Sequence, residues 1–267
     1  MTSRADWLRA KVAPTRDALV AGDGCHADEA EALNKYLDGG SSAHEAANAF
    51  TKPVLEEGEP SDSLYRPMAL LCEALVELEN DRDKLLDLLA TMEKLPSAAG
   101  IDWSELPGFG NMWSDLYRLY THGPDHWETS YASLSEERVV ELRQHYRATA
   151  AVEAEMYLRG LDGITAHWGY ETLNLICTRR AGLEVLISSM HVWLTKGSTR
   201  LKEDLDLDEL YLYGGTRRME DHWETWRSRF LEVSKDEGFL SQEARKLAAE
   251  CHEMMKLDTW ETVGYPL

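Results

Sequence analysis

Apolar residues recur at spacings of three and four along almost the whole chain, and nowhere does a long stretch alternate with a period of two. That periodicity gives a helix a buried stripe and denies a strand an inner face. Leu64, Met68, Leu71, Cys72, Leu75 and Leu78 form one such stripe. Leu85, Leu86, Leu88, Leu89, Met92 and Leu95 form the next, and the short junction between them predicts an antiparallel helical hairpin. From Ile164 to Lys196 the chain is apolar on nearly every side, the mark of a helix surrounded by others. Near the C-terminus, Met219, Trp223, Trp226 and Phe230 follow helical spacing, which favours core over an aromatic box. The expected fold is all-α: a single multi-helix domain of antiparallel helical hairpins around a hydrophobic central helix over Thr172–Leu194.

Punctuation sets the expected boundaries. Residues 1–58 read as an N-terminal helical lobe, with turns at Asp23-Gly24 and Gly39-Gly40 and a stop at Lys52-Pro53. Glu56 to Pro60 reads as a linker, and residues 59–267 as the main domain. Ser61 is expected to cap the first stripe, Asn80 to restart the second and Pro96 to stop it. Ser133 and Glu136 have capping-box spacing for a helix running to about Gly160. Gly197-Ser198 is expected to close the central helix, and Ser241 to cap the last one.

Charge narrows the partners. With 28 basic and 48 acidic residues the formal net charge is −20, a field that repels nucleic acid and anionic membranes. No apolar run is long enough for a membrane span, and the first residues lack a signal-peptide core. Cys25, Cys72, Cys177 and Cys251 are far apart and form no CxxC pair, so a cytoplasmic, reducing compartment is expected. There is no Gly-rich phosphate loop, paired-Cys zinc site or nucleophile elbow, so neither cofactor nor metal is expected.

The residues that carry chemistry are few. The pentapeptide Asp-His-Trp-Glu-Thr occurs at Asp125–Thr129 and Asp221–Thr225, with a near copy at Asp258–Thr262. In a chain rich in Trp and Glu this repeat reads first as coincidence. Its functional reading pairs His126 with Glu128, or His222 with Glu220 and Glu224, for proton transfer. His122 and His126 have metal-helix spacing, but Gly123-Pro124 between them favours a loop. His167 and Glu171 lie one turn apart and form the preferred acid–base pair. Tyr146, Trp168, His191 and Trp193, with Glu153, Arg180 and Glu184 as polar features, are the candidate walls of a ligand pocket. The competing structural reading is an ion-pair network that fixes helix packing.

Two function classes follow. In one, the protein binds a small hydrophobic metabolite or a protein partner, with oligomerisation allowed. In the other, it is a cofactor-independent enzyme (a cyclase, isomerase or hydrolase) using His/Glu pairs and a Trp-lined pocket. A pocket holding a carboxyl or imidazole with a strongly shifted pKa favours the enzyme; an open apolar patch favours the binding module.

Several short motifs add a resemblance. They are Leu85-Leu86-Asp87-Leu88-Leu89, then Trp103-Ser104-Glu105-Leu106-Pro107-Gly108-Phe109-Gly110, then Arg180-Ala181-Gly182-Leu183-Glu184. Val192-Trp193 with Gly197 follows, and Trp223-Glu224-Thr225-Trp226-Arg227-Ser228-Arg229-Phe230 with Leu240-Ser241 completes the series. In that order, over roughly residues 62 to 257, the chain resembles a fungal family of uncharacterised helical proteins, the domain of unknown function 3632. The resemblance implies a cytosolic helical protein, and an accessory role in fungal secondary metabolism. It implies no catalytic residues, and it leaves residues 1–58 outside.

Overall fold

The structure, a computed structural model, describes residues 3–119, 124–207 and 219–256. The described residues are all-α: they contain no strand, only two isolated bridges, Val12 with Cys25 and Ala98 with Ile101. None of their helices is long and apolar enough to cross a membrane. The chain divides into two compact units. The first is Met1–Tyr120 with Gly160–Gly163, and the second is Thr121–Arg159 with Ile164–Leu267. Position 58, where the sequence suggests a boundary, falls inside the first unit.

The first unit holds α1 (Arg4–Lys11), α2 (Arg16–Ala21), α3 (Ala27–Leu37), α4 (Ala43–Leu55), α5 (Pro60–Ser63), α6 (Tyr65–Glu77), α7 (Arg82–Met92) and α8 (Phe109–Ser114). A short π-helix, Asp115–Leu119, continues α8. The predicted stripes are the core: Met68, Leu71, Cys72 and Leu75 of α6 are wholly buried, as are Leu85, Leu86, Leu88, Leu89 and Met92 of α7. These two helices pack on each other, α8 packs on α6, and α4 packs on both α3 and α7. Ser42 and Glu45 close a capping box at the start of α4, which satisfies N–H groups a helix end leaves open. Pro53 does not stop α4 where expected. It sits in the last turn of the helix, which ends two residues later at Leu55. Pro60, with no N–H to lose, opens α5 one residue before the cap expected at Ser61.

The second unit holds α9 (Pro124–Ser130), α10 (Glu136–Arg159), α11 (Ala166–Thr178), α12 (Leu183–Leu207), α13 (Met219–Val233) and α14 (Gln242–Lys256). The hydrophobic central helix is α12, with α10, α11 and α14 packed around it. That enclosure is why Val185, Leu186, Ile187, Met190, Trp193 and Leu194 are buried although they point in different directions. The expected helix over Thr172–Leu194 is in fact two, parted at Arg179–Gly182, where Gly182 takes a left-handed φ of 72°. Nor does Gly197 close α12. The helix kinks there (φ −152°, ψ 38°) and runs on to Leu207, and Leu158 of α10 occupies the space a side chain at 197 would need. At the start of α10 the cap is Ser135, whose Oγ accepts from the Arg138 N–H at 3.3 Å, and not Ser133. Ser241 caps α14 as expected, accepting from Ala244 N–H at 3.2 Å. Trp223, Trp226 and Phe230 are core side chains.

Two copies of the pentapeptide lie among the described residues and do different work; the third, Asp258–Thr262, lies outside them. Trp127 is buried against Gly182, and Glu128 Oε1 accepts from the Arg180 N–H at 3.3 Å, so this copy pins the α11–α12 turn. Trp223 instead donates its indole N–H to the Met255 carbonyl at 3.3 Å, binding α13 to α14.

A Cβ added at Gly182 would land inside the Trp127 ring on a backbone already left-handed. Gly182→Ala is therefore expected to lower the unfolding free energy by ~2–4 kcal/mol. Gly160→Ala, at a similar φ of 69° but with nothing within 4 Å, is expected to cost only ~1 kcal/mol. Urea titration of both variants measures the difference, which is the cost of displacing the ring.

Candidate functional site

The residues that gather chemistry lie in the first unit, on the connection from α7 to α8 and on the loops before α3 and α6. Between α7 and α8 the chain makes a tight turn, Ala98–Ile101, closed by two backbone hydrogen bonds of 3.0 and 2.9 Å. Ala99 (φ 50°) and Gly100 (φ 81°) are both left-handed in it. Further on, Leu106 is left-handed too, at φ 42°. Ala99 and Leu106 are the only non-glycine residues at positive φ among the described ones, each at a cost of about 1–2 kcal/mol. Leu106 is held there by burial. After it, Gly108 (φ 84°) opens α8, Phe109 is wholly buried, and Gly110 packs on the backbone of Gly163. The Leu-Pro-Gly-Phe-Gly run is thus a backbone device: Gly108 supplies a left-handed φ and Gly110 a close approach to the Gly163 backbone.

This connection forms one wall of a groove of about 490 Å³. Leu64, Ile101, Pro107 and Met112 give it apolar surface, while Asp62, Asp102, Glu105 and Asp115 line it with carboxylates. The π-helix starts at its edge, at Asp115. Such helices are rare, and they are frequent at functional sites. Tyr65, at the start of α6, also lines the groove, and its hydroxyl accepts a hydrogen bond from Arg66 Nη1 at 3.1 Å.

Arg66 leads inward to a polar cluster. Its Nη2 donates to Glu57, which also accepts from the Ser63 hydroxyl. His26 Nε2 lies 2.7 Å from the same Glu57 carboxylate. Burial opposes charge on Glu57, but the hydrogen bonds from Arg66, Ser63 and His26 outweigh it and hold the pKa at about 2. Glu29 is the opposite case. It sits one helical turn beyond His26 at the start of α3, and its Oε2 accepts the His26 backbone N–H at 2.8 Å. The side chain is fully buried and Oε1 has no partner. Desolvation lifts its pKa to about 7, against the lowering pull of the His26 N–H and the neighbouring His26 and Arg66 charges. Beside it Cys25 is buried, and burial together with the Glu29 charge pushes its thiol up to about 12. The cluster therefore pairs a firmly ionised carboxylate with a carboxyl group poised to gain or lose a proton near neutrality.

The residues singled out from sequence lie in the second unit. His167 and Glu171 do pair, at 3.2 Å, but on an open face of α11 where their side chains are 49% and 45% exposed. His222 stacks obliquely near Trp226, with ring centroids 6.0 Å apart, and the side chain of His126 lies outside the described residues. Of the expected pocket walls, Glu153 and Trp193 meet: the indole N–H donates to Glu153 Oε2 at 3.1 Å, and both are buried. Tyr146 packs on Trp127. Glu184 is engaged with the Ser241 N–H at 2.6 Å, and His191 with Glu250 at 2.8 Å. Arg180 is exposed and Trp168 half-buried. These contacts read as ties between helices. Glu29, Glu57, Tyr65 and Arg66 were missed. The three-residue offset of His26 and Glu29 was visible as a capping box, but nothing in it said that the glutamate would be buried.

The Glu29 pKa gives a stability signature with a definite sign. Unfolded, the group titrates near 4.5, and folded near 7. The folded state holds the extra proton between those values, so stability falls as pH rises from 4.5 through 7. Glu29→Gln keeps the oxygen that caps α3 and removes the titration. The variant is expected to be more stable than the parent above pH 7, by ~3 kcal/mol at most. The advantage should vanish below the unfolded pKa, and denaturation midpoints across the pH range test it.

No family model matches the chain, and neither a curated protein nor a solved structure matches it.

Proposed function

We propose that the protein is a cofactor-independent enzyme that moves a proton on a small organic molecule held in the groove of the first unit. The observation that carries this reading is Glu29: a fully buried carboxyl group with one oxygen unpartnered and a pKa of about 7. General acid–base catalysis needs such a group, because a carboxyl near pKa 7 both accepts and returns a proton at neutral pH. Tyr65 is the contact with the ligand, and the Arg66–Glu57–His26 hydrogen bonds behind it are a positioning network that ties it to the buried acid; the guanidinium and the His26 backbone N–H relay no proton, so the substrate must reach Glu29 itself for transfer. The carboxylates around the groove repel anions, so the substrate is neutral or cationic, with an apolar body for Leu64, Ile101 and Met112. The exposed large apolar side chains among the described residues, Val20, Leu116, Val140, Leu231 and Phe239, come from five separate segments.

A second reading keeps the ligand and drops the reaction. It is favoured by the capping role of Glu29, which accounts for one of its oxygens with no chemistry. Cytoplasmic location is part of the same proposal and is supported by four free cysteines. Membership of the fungal helical family is likewise proposed, on the motifs quoted above.

The test is incubation of the protein with a cell extract of small molecules, followed by mass spectrometry for compounds bound and compounds consumed. Under the enzyme reading, Glu29→Gln and Tyr65→Phe each slow consumption by about 10²-fold or more. Binding should survive in Glu29→Gln. Binding without consumption would select the carrier reading, and retention of neither by the parent protein would overturn both.

A further inference from the structure

Glu29 is fully buried, so no small molecule meets its carboxyl group unless part of the chain moves aside. The covering with the least apolar anchorage is residues 4–24, which carry α1 and α2. Leu8 is the only buried residue in that stretch, whereas α3 alone buries six. Charge holds α1 in place instead. Arg4, at its start, pairs with Asp38 and Asp81. Lys11, at its end, reaches Glu73 at 2.7 Å and Glu77 at 3.6 Å, and Trp7 donates its indole N–H to Glu77 at 2.7 Å. Each of these charged side chains is a fifth or more exposed, so dissolved salt screens the pairs. The same stretch touches the acid cluster at three places. The Cys25 N–H donates to the Lys11 carbonyl at 2.9 Å, and the Ala13 N–H to the Cys25 carbonyl at 3.0 Å. The Leu19 carbonyl accepts from Arg66 Nη1 at 3.4 Å. Gly22 stands against the Tyr65 ring, which a Cβ at that position would meet at 3.3 Å. Cys25 is itself buried, and the charges of Lys11 and Glu29 both act on its thiol, so the thiol is close to the end of α1 and to the acid.

We propose that residues 4–24 are a lid on the Glu29 cluster, held shut by the ion pairs of α1, which lifts while the rest of the first unit stays folded and so admits a small molecule to Glu29. Lifting it breaks the screened pairs and the two backbone bonds to Cys25, and it bares one buried apolar side chain, Leu8. Lifting α6 or α7 would instead uncover stripes that are wholly buried. Segments with few buried apolar contacts are the ones that open first, and lids over reacting groups are drawn from them. Because basic side chains of the lid meet acidic ones of the body, closure weakens as salt rises. That the visitor is a substrate rests on the enzyme reading. That the lid lifts does not.

The experiment uses the full chain and two readouts. One is hydrogen exchange of the Ala13 and Cys25 amides by NMR. The other is alkylation of each cysteine by iodoacetamide, a small neutral probe, located by peptide mass spectrometry. Sodium chloride is raised to about 1 M, where the screening length falls to about 3 Å. Both amides are expected to exchange, and Cys25 to be alkylated, about tenfold faster at high salt than at low salt. Cys72, wholly buried in the core of the same unit, stays protected throughout. Arg4→Gln loses the pairs at the end of α1 far from Cys25, and is expected to show the fast rates already at low salt. Rates indifferent to both salt and Arg4→Gln overturn the lid, as does Cys25 reacting only in step with Cys72. Fast exchange with Cys25 still closed to iodoacetamide also overturns it, because such an opening admits no small molecule. A lid that opens in a protein consuming no compound stands, and the enzyme reading alone falls.

Discussion

Glu57 accepts hydrogen bonds from Arg66 and Ser63 and pairs with His26, and those partners come from the loop before α3 and from the α5–α6 corner. One carboxylate thereby fastens two parts of the chain that are far apart in sequence. It also makes the burial of Arg66 affordable, since an unpaired guanidinium inside a helical core would be strongly unfavourable. With Arg66 fixed, Tyr65 is fixed beside it, and Tyr65 is where the cluster meets the groove. Glu29 is the other side of the same arrangement: it is fully buried with Oε2 on the His26 backbone N–H, and desolvation outweighs that bond and lifts its pKa. The two glutamates differ in pKa because one collects the donors that the other lacks.

The sequence made the helices legible because helix burial repeats locally. Leu85, Leu86, Leu88, Leu89 and Met92 needed only their own spacing to be assigned to a core. It misjudged positions where backbone geometry is settled by a distant contact. Gly197 has the look of a helix end, yet the helix kinks and continues through it, with Leu158 packed alongside. Ser133 has capping-box spacing, yet the helix starts two residues later because Ser135 presents its hydroxyl to the right N–H. The candidate site was hidden for the same reason. Histidines and tryptophans attract notice in a list of residues, and here many of them are ties. Glutamates are common in an acidic chain, and which of them is buried depends on packing that spacing does not encode.

Identical short sequences need not mean identical roles. Asp-His-Trp-Glu-Thr pins a turn with its first copy and joins two helices with its second. In each the indole is buried, because Trp brings the largest apolar area the pentapeptide has. What surrounds that area decides the rest. The motif is a recurring anchor, and its histidine and glutamate are placed by whatever the anchor reaches.

The seating of Trp127 over Gly182 reaches beyond this one chain. The ring fills the volume that any side chain at 182 would claim, and the left-handed backbone there admits little but glycine while the turn keeps its shape. The two positions are therefore physically coupled. A descendant that shrinks the indole gains room at the turn, and one that loses the glycine has no place left for the indole. Across any set of homologues, substitutions at these two sites should arise together, as a single compound character written at two places in the sequence.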